Sequence, residues 1–393
     1  MNDFTMVIPT YWGRSGQDLI ASEKKVFDHP TPLDQEGTLG RLLDSLSIFD
    51  DFSGRVVIVT VANDPLIAPE VRERVDEIIA PYRDRFQISN FSRATLDRLL
   101  PVLAGKGLSD GPLSLLNLDN YSAVRNMCSL AGILNNSPAT IFIDDDEVFI
   151  DPLFLEKVSH HIQGDHNGEP IRALAGYYLQ PDTWRLDVSR VPSWRARYWN
   201  NAQAMNEAFE KTIGADPRLK ITPFVFGGNM TLTLDTLKAT PFDPKMTRGE
   251  DIDFLINLRI QGVNFYLDRE LSIKHLPPGS ARPAWKKVRE DILRFLYEQK
   301  KVNDHQLPLD DLQPYPARFL EPDLEERIVK TNELLKDEYE REHDEQGVAE
   351  CEENIRLARE NPFRDFDTRA WLNQLTADWR QLTAAAAGLG IPQ

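Results

Sequence analysis

Residues 139–152 read ATIFIDDDEVFIDP, an apolar run that ends in Asp144, Asp145, Asp146 and Glu147 before Val148, Phe149 and Ile150 resume it. Adjacent carboxylates repel one another and are costly to take out of water, so something positive is expected among them. Asp144 and Asp146 are two apart, a spacing that an extended strand points to one side. Paired carboxylates at a loop end suit a hard divalent cation, Mg2+ or Mn2+, which keeps waters and recruits ligand phosphates. A solvated acidic turn, with Asp151 capping the next helix, accounts for the same residues without any chemistry.

Four other stretches carry candidate chemistry, each beside a plainer explanation. In TRGEDID, Thr247–Asp253, Thr247 and Glu250 fit a capping box, and Asp251 and Asp253 suit the helix dipole. The chemical reading makes Asp251 a general base aimed into a cleft. In KHLPP, His275 closes a strand before a Pro-Pro break and is either structural or a third metal ligand. In FGGN, Gly227 and Gly228 let backbone approach a ligand and Asn229 can bond sugar hydroxyls, or the three make a tight turn. In YSAVRN, Arg125 falls in the first turn of a helix, facing either a phosphate or nearby acids.

The elements that must position these residues alternate. Phe4–Pro9 reads as a buried strand and Gly37–Phe49 as a helix. Arg55–Ala62 is a continuous β-branched run of the kind found in a parallel strand covered on both faces. Pro69–Tyr82 is helical, Phe86–Ser89 a third strand, and Ser122–Asn135 a helix with Ser122 as its N-cap. Thr140–Ile143 then leads into the acidic cluster. Arg172–Leu179, Pro223–Phe226, Val263–Leu267 and Leu271–His275 are further strands, and Thr247–Ile260 a helix ended by Gly262. The pattern predicts an α/β fold, a mostly parallel open sheet with helices on both faces. Ligands of such sheets sit beyond the carboxyl ends of the strands, where the acidic cluster lies. From about residue 283 the composition shifts to charged helix formers. Leu320–His343, Glu350–Arg359 and Asp367–Ala387 are expected as a C-terminal helical extension that packs on the sheet or pairs subunits in a homo-oligomer.

Composition narrows the class. Lys and Arg total 45 against 62 Asp and Glu, a net charge of −17, which argues against an open nucleic-acid surface. The hydrophobic fraction of 41% supports a sizeable core. Two cysteines, Cys128 and Cys351, are too few for a disulfide framework and fit unpaired thiols in a reducing compartment. The start MNDFTMVIPT has no leader character, and no run approaches the roughly 20 apolar residues of a membrane helix. A soluble, cytoplasmic protein is expected.

Taken in order, IPTY at the first strand end, S-x-x-RN, an apolar strand into D-x-D, GGN, GED on a helix and a strand-end histidine resemble the GT-A glycosyltransferases, family-2-type. The resemblance spans roughly residues 4–276, so residues 1–282 are expected as the transferase domain and 283–393 as the extension. It implies a nucleotide-sugar donor (UDP- or GDP-sugar) whose nucleoside meets Pro9, Thr10 and Tyr11 and whose base is bound by Asp64. Arg125 would lie near the donor diphosphate, and Asp145 on the donor side. Asp144 and Asp146 would hold Mn2+ or Mg2+, with His275 completing the site. Glu250 and Asp251 match the catalytic acidic pair, Asp251 as base, which implies transfer with inversion, a hexosyltransferase being the expected type. Arg282, Lys286 and Lys287 are candidates for further phosphate contacts. Gly227, Gly228, Asn229 and Trp199 fall on the acceptor side, with Trp184, Trp194, Arg185, Arg195 and Arg197 nearby as stacking and anion-holding candidates. A soluble saccharide or small polar acceptor is expected. Two rival readings stay open: a sugar nucleotidyltransferase, and a non-catalytic nucleotide-sugar-binding module.

Overall fold

The computed structural model describes residues 4–15, 27, 30–50, 52, 54–162, 164–279 and 282–392. Its strands are β1 (Phe4–Gly13), β2 (Thr31–Pro32), β3 (Arg55–Ala62), β4 (Gln87–Phe91), β5 (Ala139–Phe142), β6 (Glu147–Val148), β7 (Asp165–His166), β8 (Glu169–Pro170), β9 (Ala173–Leu179), β10 (Leu219–Ile221), β11 (Met230–Thr233) and β12 (Phe265–His275). Among the described residues the main sheet runs β10-β12-β9-β11-β5-β1-β3-β4, with β2 added to β1 and β6 to β12. The β5-β1-β3-β4 half is parallel throughout. In the other half β11 runs antiparallel to both β5 and β9, while β12 is parallel to β9. The sheet is therefore mixed.

Alternation along the strands feeds two cores, one on each face of the sheet. Val7, Val57, Val59 and Phe142 enter the larger core, under the Tyr121–Leu134 and Glu250–Ile260 helices. Met6, Ile8, Val56, Ile58 and Ile141 enter the other, under the Leu39–Ser45, Ala68–Ile79 and Phe154–His161 helices. An open α/β sheet covered on both faces, with helices following it, agrees with the GT-A-like architecture expected. No helix among the described residues is long and apolar enough to cross a membrane.

Three expectations are corrected. Pro223–Phe226 is not a strand: Phe224 and Phe226 pack on Phe209 instead, and the ladder place beside β5 is taken by Met230–Thr233. Val263–Leu267 and Leu271–His275 are not two strands, because β12 runs through both with a register shift between Leu267 and Ser272. Ser122 is not the N-cap. Asn120 accepts the Ala123 N–H at 2.9 Å, while the Ser122 hydroxyl is buried and donates to the Met246 carbonyl.

The C-terminal helices, Ala284–His305, Leu324–Arg341, Glu345–Glu360 and Thr368–Ala386, bury one face each in the larger core. Val288, Ile292 and Phe295 do so on the first, and Trp379 on the last, where its indole N–H donates to the Leu237 carbonyl at 2.7 Å. On the first helix, Lys301 is fully buried and donates to Asp243 (3.0 Å), Asp253 (2.6 Å) and Asn257 (3.0 Å). The Tyr297 hydroxyl and the Trp371 indole also donate to Asp243. A buried ammonium is tolerated only with such complete pairing.

Candidate active site

The carboxyl ends of β1 and β5, side by side and parallel, open into a cleft of about 350 Å³. Tyr11, Arg125, Asp144, Asp145, Asp146, Gly227, Glu250, Asp251 and His275 all line it, although they come from six separate stretches of sequence.

Arg125 is the positive charge among the acids. Its guanidinium meets both Asp144 carboxylate oxygens, at 2.8 and 3.1 Å, and donates from Nε to Glu250 at 3.2 Å. Burial works against its charge, but Asp144 and Glu250 outweigh burial and hold it protonated. Glu250 thus answers Arg125 rather than a capping box, and the residue before its helix is Gly249 in a left-handed conformation (φ 75°). Gly227 makes room for this pairing, since a Cβ there would stand 2.6 Å from Arg125 Nη2.

The remaining acids have separate partners. Asp145 accepts from the Thr10 hydroxyl at 2.6 Å, and burial, with Asp146 beside it, pushes its carboxyl up to about 7. Asp146 Oδ2 lies 3.3 Å from His275 Nε2. Gln180 Nε2 lies 2.7 Å from His275 Nδ1, and the His275 ring stacks on Tyr178. Glu147, which the sequence places in the acidic run without a role, is fully buried and accepts the Asp144 N–H at 3.0 Å. Burial raises it well above the usual carboxylate range. Gly228 permits this close approach, because a Cβ there would stand 2.2 Å from Glu147 Oε1 and 2.8 Å from the Asp144 carboxyl carbon. Among the described residues no three His, Cys, Asp or Glu side chains form a ready metal cage. Asp144 is drawn to Arg125, which leaves Asp146 and His275 as the converging pair.

Asp251 accepts the Gly227 N–H at 3.2 Å and its neighbour Ile252 N–H at 2.8 Å. Burial raises its pKa, and the charge of Arg294 opposes that rise. Arg294 and Tyr315 reach the cleft from beyond residue 283, and no signal in the local sequence marked either. On the opposite wall Tyr11 packs against Phe27 at 4.5 Å and Tyr121 at 5.4 Å between ring centroids.

Several candidates do not line the cleft. Pro9 is buried inside β1, opposite Val59. Asp64 caps the short turn after β3 through the Leu66 N–H at 2.9 Å and pairs with Arg14 at 2.7 Å, away from the cleft lining. Asn229 is buried and donates to the Tyr177 and Leu271 carbonyls, so its amide is committed to bridging β9 and β12. Trp199 is corrected outright: it is fully buried between Phe295 and Phe319, its N–H on Asp291, and presents no face to a ligand.

No protein-family model and no curated protein matches this chain. Solved structures do. A mannosyltransferase from Pyrobaculum calidifontis, in complex with GDP-Man and Mn2+, is similar at 13% identity over 98% of this chain and 86% of that one, with a TM-score of 0.45. A mycobacterial protein is similar at 14% identity over 78% of this chain and 75% of that one, TM-score 0.40. Mouse xyloside xylosyltransferase 1, apo form, is similar at 14% identity over 65% of this chain and 75% of that one, TM-score 0.30. Likeness this distant leaves the weight on the geometry of the cleft.

Proposed function

We propose that the protein is a glycosyltransferase that moves a sugar from a nucleotide-diphosphate donor to an acceptor hydroxyl. The observation that carries this reading is the meeting, at the carboxyl ends of β1 and β5, of an acidic cluster, a strand-end histidine and a buried aspartate with a raised pKa. Asp146 and His275, whose Oδ2 and Nε2 converge at 3.3 Å, are the residues that would hold a hard divalent cation. Bound there, it supplies charge neutralisation for the departing nucleoside diphosphate. Turning the Gln180 amide would put its Oε1 on His275 Nδ1–H and free the Nε2 lone pair toward such an ion.

The chain's own residues do the rest. Asp251 takes the proton of the acceptor hydroxyl as that oxygen bonds to the anomeric carbon, and the bond to the diphosphate breaks with its electrons on the phosphate. A base whose pKa burial has raised suits this step, and such a group contributes typically ~10²–10⁴-fold. Attack opposite the leaving group inverts the anomer. Arg125 keeps Asp144 and Glu250 in one arrangement rather than reaching for phosphate. Tyr11, with Phe27 and Tyr121 behind it, offers the donor an aromatic wall.

A thermal-shift screen of nucleoside diphosphates and nucleotide sugars, with and without Mn2+, tests the reading. Metal-dependent stabilisation by one base is expected, through preferential binding to the folded state. Asp146→Ala should erase the metal dependence. Stabilisation by a nucleoside triphosphate with a sugar phosphate, and diphosphate release from the pair, would instead make the protein a nucleotidyltransferase.

A further inference from the structure

Arg294 is left with business unfinished. It comes from the Ala284–His305 helix, its side chain is 10% exposed, and it lines the cleft. Its Nε donates to Glu298 at 2.9 Å, while its buried Nη2 has no hydrogen-bond partner. Its charge steadies Asp251, but no hydrogen bond joins the two, and the Asp251 oxygens accept from the Gly227 and Ile252 N–H groups. An unsatisfied buried N–H on a charged group is costly, and more so in a site walled by Met205, Phe224 and Tyr315.

The backbone is shaped around this guanidinium. Gly249 has φ 75°, and a Cβ there would stand 2.5 Å from Arg294 Nε. Only a glycine lets Arg294 lie against the start of the Glu250–Ile260 helix, whose dipole adds positive potential at the same corner. Arg248 lines the cleft there too, bonded to Glu290 at 2.8 Å. The cleft as a whole is acidic, so this corner is where a negative group finds the opposite sign.

Resting on the transferase reading above, we propose that Arg294 binds the acceptor, taking the carboxylate or phosphate of a small hydroxy acid or phosphorylated polyol and so bringing a neighbouring hydroxyl to Asp251. A planar guanidinium matches either anion with paired N–H groups. The cleft, about 350 Å³, is at the low end of ligand pockets, roughly 300–1,000 Å³, and must also take the donor sugar, so what it leaves suits a small acceptor.

The test is calorimetric titration of the full-length chain. UDP and GDP with Mn2+ come first. D-glycerate, glycerol 3-phosphate and glycerol then go into the protein holding the tighter nucleotide. At least one anion should bind, glycerol should not, and the stronger of the two anions tells carboxylate from phosphate. Arg294→Gln should weaken the anion roughly 10- to 100-fold, the worth of a hydrogen bond to a charged group, and Arg294→Lys should recover part of it. Neither anion binding better than glycerol would overturn the proposal, whether or not the variants fold. So would an unchanged anion Kd in a folded Arg294→Gln, or a loss of nucleotide affinity as large as the loss of anion affinity. If neither nucleotide binds, the donor reading falls, and the same titrations into the ligand-free protein still decide whether Arg294 holds an anion.

Discussion

Asp251 and Asp253 are two residues apart on one helix, and each is opposed by a cation from the Ala284–His305 helix, Arg294 for the first and Lys301 for the second. The two cations are seven residues apart, two helical turns, and so share a face. Around Lys301 every donor and acceptor is matched: Asp243, Asp253, Asn257, Tyr297 and Trp371 close the group on itself. Around Arg294 the set stays open, with Arg294 Nη2 and Glu298 Oε2 both lacking partners. Buried charge alone therefore does not mark a functional site. The two groups differ in whether the polar atoms are used up, and the open one borders the cleft.

Lys301→Met should give the largest stability effect. It leaves Asp243 and Asp253 buried without their cation, a loss of about 3–5 kcal/mol. Urea unfolding measures it, and a loss under about 1 kcal/mol would mean that the closed group is less tightly coupled than its distances imply. Asp251→Asn should do the reverse. Stability should change little or rise, because a buried negative charge is removed, while transfer falls by roughly 10²–10⁴-fold and donor binding persists. Unchanged transfer would take the base role from Asp251.

Glu298 sharpens the contrast through pH. Burial pushes its carboxyl up to about 7 from the ordinary 4.5, with Arg294 opposing. The folded protein then holds this proton more tightly than the unfolded chain. The group's contribution is full below about pH 4.5 and is lost as pH climbs through about 7, roughly 3 kcal/mol in all. Glu298→Gln should remove that share of the decline in unfolding free energy between pH 5 and 8. A slope identical to the parent would show that Glu298 is ionised across the range.

Local pattern made much of the sheet legible. Arg55–Ala62 is β3 to the residue, and the helix expected over Ser122–Asn135 is shifted by one position, because continuous β-branched runs and period-3.6 apolar faces are local signals. Asp144, Asp145 and Asp146 were legible for a related reason, as charges placed where an apolar run should continue. What escaped was decided across long separations. Met230–Thr233 is short and mildly apolar, and only its places beside β5 and β9 make it a strand. Trp199 and Asn229 looked like ligand contacts by type, and packing made the first core and the second a bridge between β9 and β12. Arg294 is one arginine in a charged helix, with nothing nearby to tell it from Arg289.

The seven-residue interval between Arg294 and Lys301 also limits how this chain can be recombined. A chimera that kept the sheet and took its last hundred or so residues from another scaffold would strand Asp253 and strip the corner beside Asp251 in a single cut. Any exchange meant to retune what the cleft accepts has to carry the Glu250–Ile260 and Ala284–His305 helices together, as one heritable cassette.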